Sequence, residues 1–532
     1  MTLNRYRFFR SSCSSAVAPA TFPLLPRCSL RRIGNALWLV LCCSWLLTAC
    51  GTVAPVRYST DEVARRVVLD RERMFAGQET VAAPISFHEA AARALKYNLD
   101  YRLKLMELAL AQGLSEVSNQ EMLPRLVAGA GYAWRNNDSG GTSIGIEDGQ
   151  VSLRPSTSQE RGRALSSLSF SWNALDFGVS YYRARQKADQ VLMAEERRRK
   201  VIQNVLQDVR NSYWRAWGAQ KLMGRLDILV ERTNKALDYA FQAEKEGLMP
   251  QEQALAYQRA LLDTLGLLML RRQDIELART ELTALMSLPP GSDYRLADEA
   301  EMPLPPVPDN FEELERTALA MRPEIMEEWY RKRVTENDLN AAKILLWPNL
   351  SVDVGPQYDS NKYNYNSTWV DAGVRLSWNI LKLAQLPALE QAHKFQNETD
   401  DLRRMALSMA VLTQVRVGVQ RYALSVAELR FAEKSLRVDQ RYFHYVQSAQ
   451  QSQLTSNLEV IRAEARALLS VYQRYVAYSN AQAAWGRVYN SVGLDVLPET
   501  IDSHDVTGLA AALATTMETW QNKVFKAAKQ DQ

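Results

Sequence analysis

Two stretches of this chain alternate between apolar and polar residues and then abruptly stop. In one, Leu168, Phe170 and Trp172 take turns with Ser167, Ser169 and Ser171. A period of two predicts a strand with one apolar face and one small polar face. In the other, Val374, Leu376 and Trp378 take turns with Arg375 and Ser377. Two more alternating runs complete a set of four predicted strands, at residues 126–134, 165–172, 350–358 and 370–378. In the third, Leu350, Val352, Val354 and Tyr358 oppose Ser351, Asp353, Gly355 and Gln357.

Between the strands the period changes to that of long helices. Ser86 with Glu89 three residues later reads as a capping box, opening a helix over 87–123 that Pro124 stops. No proline occurs from 179 to 246, which predicts a helix roughly 100 Å long. Gly247-Leu-Met-Pro250 then makes a turn, and a second long helix runs to about Met286. A short helix is expected near 61–75. The tail is expected to carry a loose amphipathic surface helix over 506–528. Heptads mark the long helices: Met405, Leu412, Val419 and Val426, then Val415, Tyr422, Leu429, Leu436 and Phe443. The first half shows Val209, Ala216, Met223, Val230 and Leu237. These are seams of packed helices.

The whole plan occurs twice. Phe311-Glu-Glu-Leu opens a helix as Phe87-His-Glu-Ala does, and Pro348-Asn-Leu350 matches Pro124-Arg-Leu126, all 224 positions apart. Past the loop the offset is 206, which holds for Ser171-Trp172-Asn173 against Ser377-Trp378-Asn379, for Val209-Arg210 against Val415-Arg416, and for Leu248 against Leu454. The difference falls in an exposed loop, long at 135–163 and short at 359–368, where a duplication changes length most easily. The chain divides into a signal peptide (1–49), an N-terminal linker (50–85), a first repeat (86–296), a Pro-rich linker (297–310), a second repeat (311–498) and a tail (499–532). The fold class is mainly α with a small β part.

Composition narrows the chemistry. The formal charge of +4 includes six arginines in the first 49 residues with no acid, so the remainder carries about −2 and gives no reason to expect nucleic acid as a partner. All five cysteines lie at or before Cys50, so the body has no disulfide and no Cys-based metal site. His88, His393, His444 and His504 show no ligand spacing. There is no nucleophile motif, metal cluster or phosphate loop, and Asp176-Phe177-Gly178 stands without the other kinase motifs. Neither an enzyme nor a cofactor is expected. Arg31 and Arg32 precede a short apolar run, 36–47, that fits a signal-peptide core. It ends in Leu47-Thr48-Ala49-Cys50-Gly51, similar to a bacterial lipobox, which predicts an exported protein with a covalent lipid on Cys50.

Strands of this length with aromatic ends fit transmembrane β-strands, with Leu168, Phe170, Trp172, Val374, Leu376 and Trp378 toward lipid. Four strands cannot close a barrel, and an open edge in lipid leaves its N–H and C=O groups unsatisfied. The barrel must therefore be shared between chains.

The lipobox, the duplicated helix–strand–loop–strand–helix–turn–helix plan, the proline at each helix-to-strand break and Ser171-Trp-Asn-Ala-Leu-Asp-Phe-Gly178 together resemble the TolC-type outer-membrane efflux channels over roughly 86–498. The resemblance implies a homotrimer with a 12-stranded outer-membrane barrel and a 12-helix periplasmic tunnel. It also implies a passive exit duct for efflux or type I secretion, docked through periplasmic adaptors to an inner-membrane pump. It places adaptor-docking tips at Gly247, Leu248 and Pro250 and at Gln453, Leu454 and Ser456. The family's acidic pair at the periplasmic gate falls on Glu459 and Arg462, so the second acid is replaced by a base that can pair with Glu459. The second tip lacks the family's glycine. A periplasmic coiled-coil lipoprotein with a scaffolding role is the other reading of the helices and lipobox, but it leaves the four strands without a purpose.

Overall fold

The structure is a computed structural model that describes residues 55–81, 83–151, 154–298, 300–495, 497 and 505–525, the last five as backbone. The expected leader and Cys50 lie outside these residues. The chain divides into two compact units at Arg71. Helix α1 (Thr60–Phe75) has no buried residue and is braced by an Arg66–Glu62 pair at 2.9 Å.

The rest begins as the capping box predicts. The Ser86 hydroxyl accepts the Glu89 amide at the start of α2 (Phe87–Tyr97). The single helix expected over 87–123 is broken at Asn98, which ends α2 and caps α3 (Leu99–Gln120) by accepting the Tyr101 amide. Pro124 then separates α3 from β1 (Arg125–Trp134). The long loop contains a small hairpin, β2 (Ser139–Gly141) with β3 (Ser156–Gln159), before β4 (Gly162–Asn173). The 72-residue α4 (Ala174–Lys245) follows without interruption, about 110 Å at 1.5 Å per residue. After α5 (Gln251–Leu285) the proline-rich strap leads to the second repeat: α6 (Phe311–Met321), α7 (Pro323–Ile344), β5 (Asn349–Asp359), β6 (Thr368–Ser377), a 3₁₀ turn (Ile380–Gln385), α8 (Leu386–Gln451) and α9 (Asn457–Val492).

The break at Asn98 recurs at Arg322, 224 residues on, with nearly the same extended backbone (ψ 126° and 129°). Pro323 stands at the first position of α7, and the residue before a proline is disfavoured from helical geometry. That signal was present in the sequence.

Two cores lie near the middle of α4 and the corresponding part of α8. In the first, Phe87 packs on Tyr213 and Trp214, and Trp214 meets Trp217 and Tyr478 edge-on. In the second, Val415, Val419, Tyr422, Trp485 and Val488 close under Leu314 and Ala318 of α6. The heptad positions Val209, Ala216, Val230, Leu237, Val415, Val419, Tyr422 and Leu429 are buried. Met405 is exposed, because that end of α8 presents Phe395, Leu402, Met405 and Met409 where none of the described helices covers them. The C-terminal helix α10 (Val506–Phe525) is not the loose surface helix expected. Val506, Leu509 and Leu513 are buried in the first core, where α10 packs on α2.

Candidate functional site

The four main strands form one antiparallel sheet in the order β1-β4-β5-β6. Residues directly opposite in such a ladder point to the same side. Leu126 faces Phe170, Ala128 faces Leu168, Phe170 faces Val354, Trp172 faces Val352, and Val352 and Leu350 face Val374 and Leu376. One continuous apolar face therefore crosses all four strands. The opposite side pairs Ser169 with Val127, Ser171 with Asp353, Ser167 with Gln357 and Ser351 with Arg375. A slip of one residue at any strand would have scrambled both faces.

Aromatic residues bracket the apolar face. Tyr132, Trp134 and Tyr358 stand at the loop end. Trp172 stands at the helix end, where its ring lies 6.3 Å from that of Phe177. Trp378 lies just beyond β6, its indole N–H donating to the Leu346 carbonyl at 3.0 Å. On the polar side, Arg163 of β4 reaches Asp359 of β5 at 2.8 Å, a pair the sequence reading did not single out. Among the described residues β1 and β6 each pair along one edge only, so the sheet ends in two open rows of backbone donors and acceptors.

The two strand-to-helix junctions differ in detail. Asn173 caps α4 directly, its side chain accepting the Leu175 and Asp176 amides. Asn379 makes no such bond. The chain passes through a 3₁₀ turn first, and Pro387 sits in the first turn of α8, where its missing N–H costs nothing.

At the far end of the long helices the tips are the same turn built with different residues. Gly247 has φ +66°, and the Leu248 amide reaches back to Ala243 O at 2.9 Å. Gln453 has φ +59°, and the Leu454 amide reaches Ala449 O at 2.9 Å. Both are Schellman-type closures, with Gln453 occupying the left-handed position normally given to glycine. Leu248 and Leu454 are left 71% and 81% exposed. Pro250 stands just before α5, and Ser456 caps α9 by accepting the Glu459 amide. The pattern recurs at the other ends: Ser287 after α5 (φ +55°) and Gly493 after α9 (φ +77°) are 206 apart. Each repeat thus uses glycine at one of its two closures and an ordinary residue at the other. Glu459 and Arg462 meet at 3.0 Å one turn above the second tip, both about half exposed.

Among the described residues no group of three His, Cys, Asp or Glu is placed to hold a metal ion, and no helix is long and apolar enough to cross a membrane.

No protein-family model matches the chain, and no curated protein matches it in sequence. Solved structures do. The CmeC outer membrane channel of Campylobacter jejuni aligns with a TM-score of 0.61 at 13% identity, covering 88% of this chain and 98% of that one. The outer-membrane channel OprN aligns at 0.58 with 16% identity, over 76% and 89%. The open state of the Neisseria gonorrhoeae MtrE outer membrane channel aligns at 0.58 with 14% identity, over 79% and 94%. At these identities the likeness is one of fold, and the fold is that of the TolC-type outer-membrane channels.

Proposed function

We propose that this chain, having the fold of TolC-type channels, is one protomer of a homotrimeric exit duct in the outer membrane. The observation that carries the reading is the sheet: one apolar face across four strands, ending in two unpaired edges. An apolar face is stable toward lipid, and unpaired edges in lipid are not. Pairing β6 of one protomer with β1 of the next satisfies both conditions, and three protomers close twelve strands. Leu168, Phe170, Val374 and Leu376 then face lipid, with Trp172 and Trp378 at the headgroup level. Ser167, Ser169, Ser171, Asp353 and Arg375 line the pore. The exposed apolar stretch of α8 around Met405 packs on a neighbouring protomer, and the repeats 86–296 and 311–498 each give two strands and two long helices to the assembly.

Such a wall carries no reaction chemistry. The duct passes solutes delivered by an inner-membrane pump through a periplasmic adaptor, in efflux or type I secretion. The tips Gly247, Leu248 and Pro250, with Gln453, Leu454 and Ser456, are the adaptor-docking points, since they present exposed leucines on rigid closures. Glu459 and Arg462 sit at the periplasmic mouth, where their pairing neutralises the charge ring that two acids would form. A lipid on Cys50 anchors the N-terminus in the outer membrane.

Planar-bilayer conductance with sizing in detergent tests this. The expected result is a trimer that inserts as a discrete pore. A monomer that forms no pore would overturn the reading and favour the periplasmic scaffold.

A further inference from the structure

Arg210 and Arg416 are repeat equivalents, and their settings have diverged. Arg416 is exposed, lies over the Phe311 ring at 5.5 Å and is paired with the Glu315 carboxylate. Arg210 keeps the ring: its guanidinium lies 4.8 Å from the centre of Phe87, which corresponds to Phe311. The position corresponding to Glu315 is Ala91, fully buried. The first repeat has therefore kept the cation and its aromatic shelf and lost the carboxylate.

Arg210 is also only 9% exposed. Its Nη1 donates to the Gln482 side-chain oxygen at 3.1 Å and its Nη2 to the Met517 sulfur at 3.5 Å. Both acceptors are neutral, and the sulfur is a weak one. Burial lowers the guanidinium pKa to about 10, and the ionisable groups that act on it are the phenols of Tyr489, Tyr478 and Tyr422. His88, the nearby imidazole, is held toward its neutral form by burial and by Arg210 itself. Taking a cation out of water without an opposite charge is costly, and nature usually supplies a counter-ion.

The surroundings leave room for one. Arg210 opens onto a cavity of about 50 Å³ lined by Gln203, Gln207, Gln482 and Asn490, beneath the strap at Met302 and Met517 of α10. Gly486 makes the passage: a side-chain carbon there would stand 3.0 Å from Arg210 Cδ. Gln482 turns its oxygen to Arg210 and its N–H groups to Met302 O and Tyr478 Oη, and Asn490 and Gln203 donate to Gln207, Asn204 and Leu494 O, so the guanidinium N–H groups that these contacts leave over are the donors for a ligand.

We infer that the Arg210 cavity binds one small monovalent anion, a halide or a short carboxylate, in place of the glutamate that the second repeat supplies itself. The anion would tie α4, α9 and the C-terminal helix together, making the docking of α10 sensitive to it. The site is built from this chain's own residues and stands whether or not the chain forms a pore.

Thermal unfolding of the full-length chain in detergent tests it, in chloride, bromide or formate against a bulky sulfonate at equal ionic strength. The wild type is expected to gain a saturable rise of a few degrees with the small anions only. Arg210→Met is expected to lose that dependence. Because Arg210→Met removes a core cation and can fail to fold, Met517→Glu is the second variant. It places a carboxylate beside the guanidinium, and is expected to raise the midpoint and abolish the anion dependence. Equal midpoints in small and bulky anions, or an unchanged anion dependence in Met517→Glu, would overturn the proposal.

Discussion

A single positive charge on the apolar face gives a graded test of the transmembrane sheet. Leu168 pairs with Ala128, and the aromatic levels lie four residues to either side: Trp172 toward the helices, and Ala164, opposite Tyr132, toward the loops. At about 3.4 Å per residue and a tilt of about 40°, four residues rise about 10 Å along the membrane normal. The two aromatic levels are then about 21 Å apart, close to the roughly 25 Å apolar band of such barrels. In the proposed barrel Leu168 would fall at the midplane, Phe170 about halfway out, and Trp172 at the interface. An arginine at a lipid-facing midplane position costs about 2–4 kcal/mol, falling to about 0–1 near the interfaces. Leu168→Arg should therefore lose about 2–4 kcal/mol per protomer, Phe170→Arg roughly half of that, and Trp172→Arg only its packing. Ser169→Arg, on the other face, should fold normally and change the conductance instead. Urea-dependent folding into phospholipid vesicles, followed by tryptophan fluorescence and gel mobility, measures the series. A flat series, or a Ser169→Arg defect as large as that of Leu168→Arg, would mean the sheet is inside out or outside the membrane.

Three further outcomes follow from the geometry. A left-handed conformation costs an ordinary residue about 1–2 kcal/mol, and a glycine gives back about 0.4–1 kcal/mol through the freedom of the unfolded chain. Gln453→Gly should thus tighten the second tip by up to about 1.6 kcal/mol, read as slower amide hydrogen exchange over 449–456. Gly493→Ala should destabilise by more, since its new carbon would meet the Arg322 backbone at 2.8 Å, and its unfolding midpoint should fall. His88 gives a pH signature. Burial, aided by Arg210, lowers its pKa below the ordinary 6.5. The unfolded chain then binds the proton more readily than the native one, so stability should fall as pH drops below about 6.5. Replacing His88 with Gln should flatten that part of the profile in a denaturant series, and an unchanged slope would contradict it.

Much of this architecture is local and was therefore legible in the sequence. Alternation at Leu168, Phe170 and Trp172 and at Val374 and Leu376 reports a half-buried strand, because side chains on a strand alternate whatever lies beside it. Ser86 and Glu89, Pro124 and Gly247 act on their own neighbours, and the repeat offsets of 224 and 206 place each element's partner in the other half. Other features needed the folded chain. The break at Asn98 depends on where α2 must turn to bury Phe87 under Tyr213 and Trp214, although Arg322-Pro323 marked its counterpart. Gln453 takes a left-handed backbone because α8 and α9 must close at the point where α4 and α5 do, and packing along both helices overrides the residue's own preference. Helix α10 docks because Val506, Leu509 and Leu513 meet an apolar surface on α2 that no pattern in the tail describes. Above all, the sequence determined that four strands each have an apolar side. Only the register of β1, β4, β5 and β6 decided that those sides coincide, because hydrogen bonds between strands fix relative position, and position along one strand carries no information about the next.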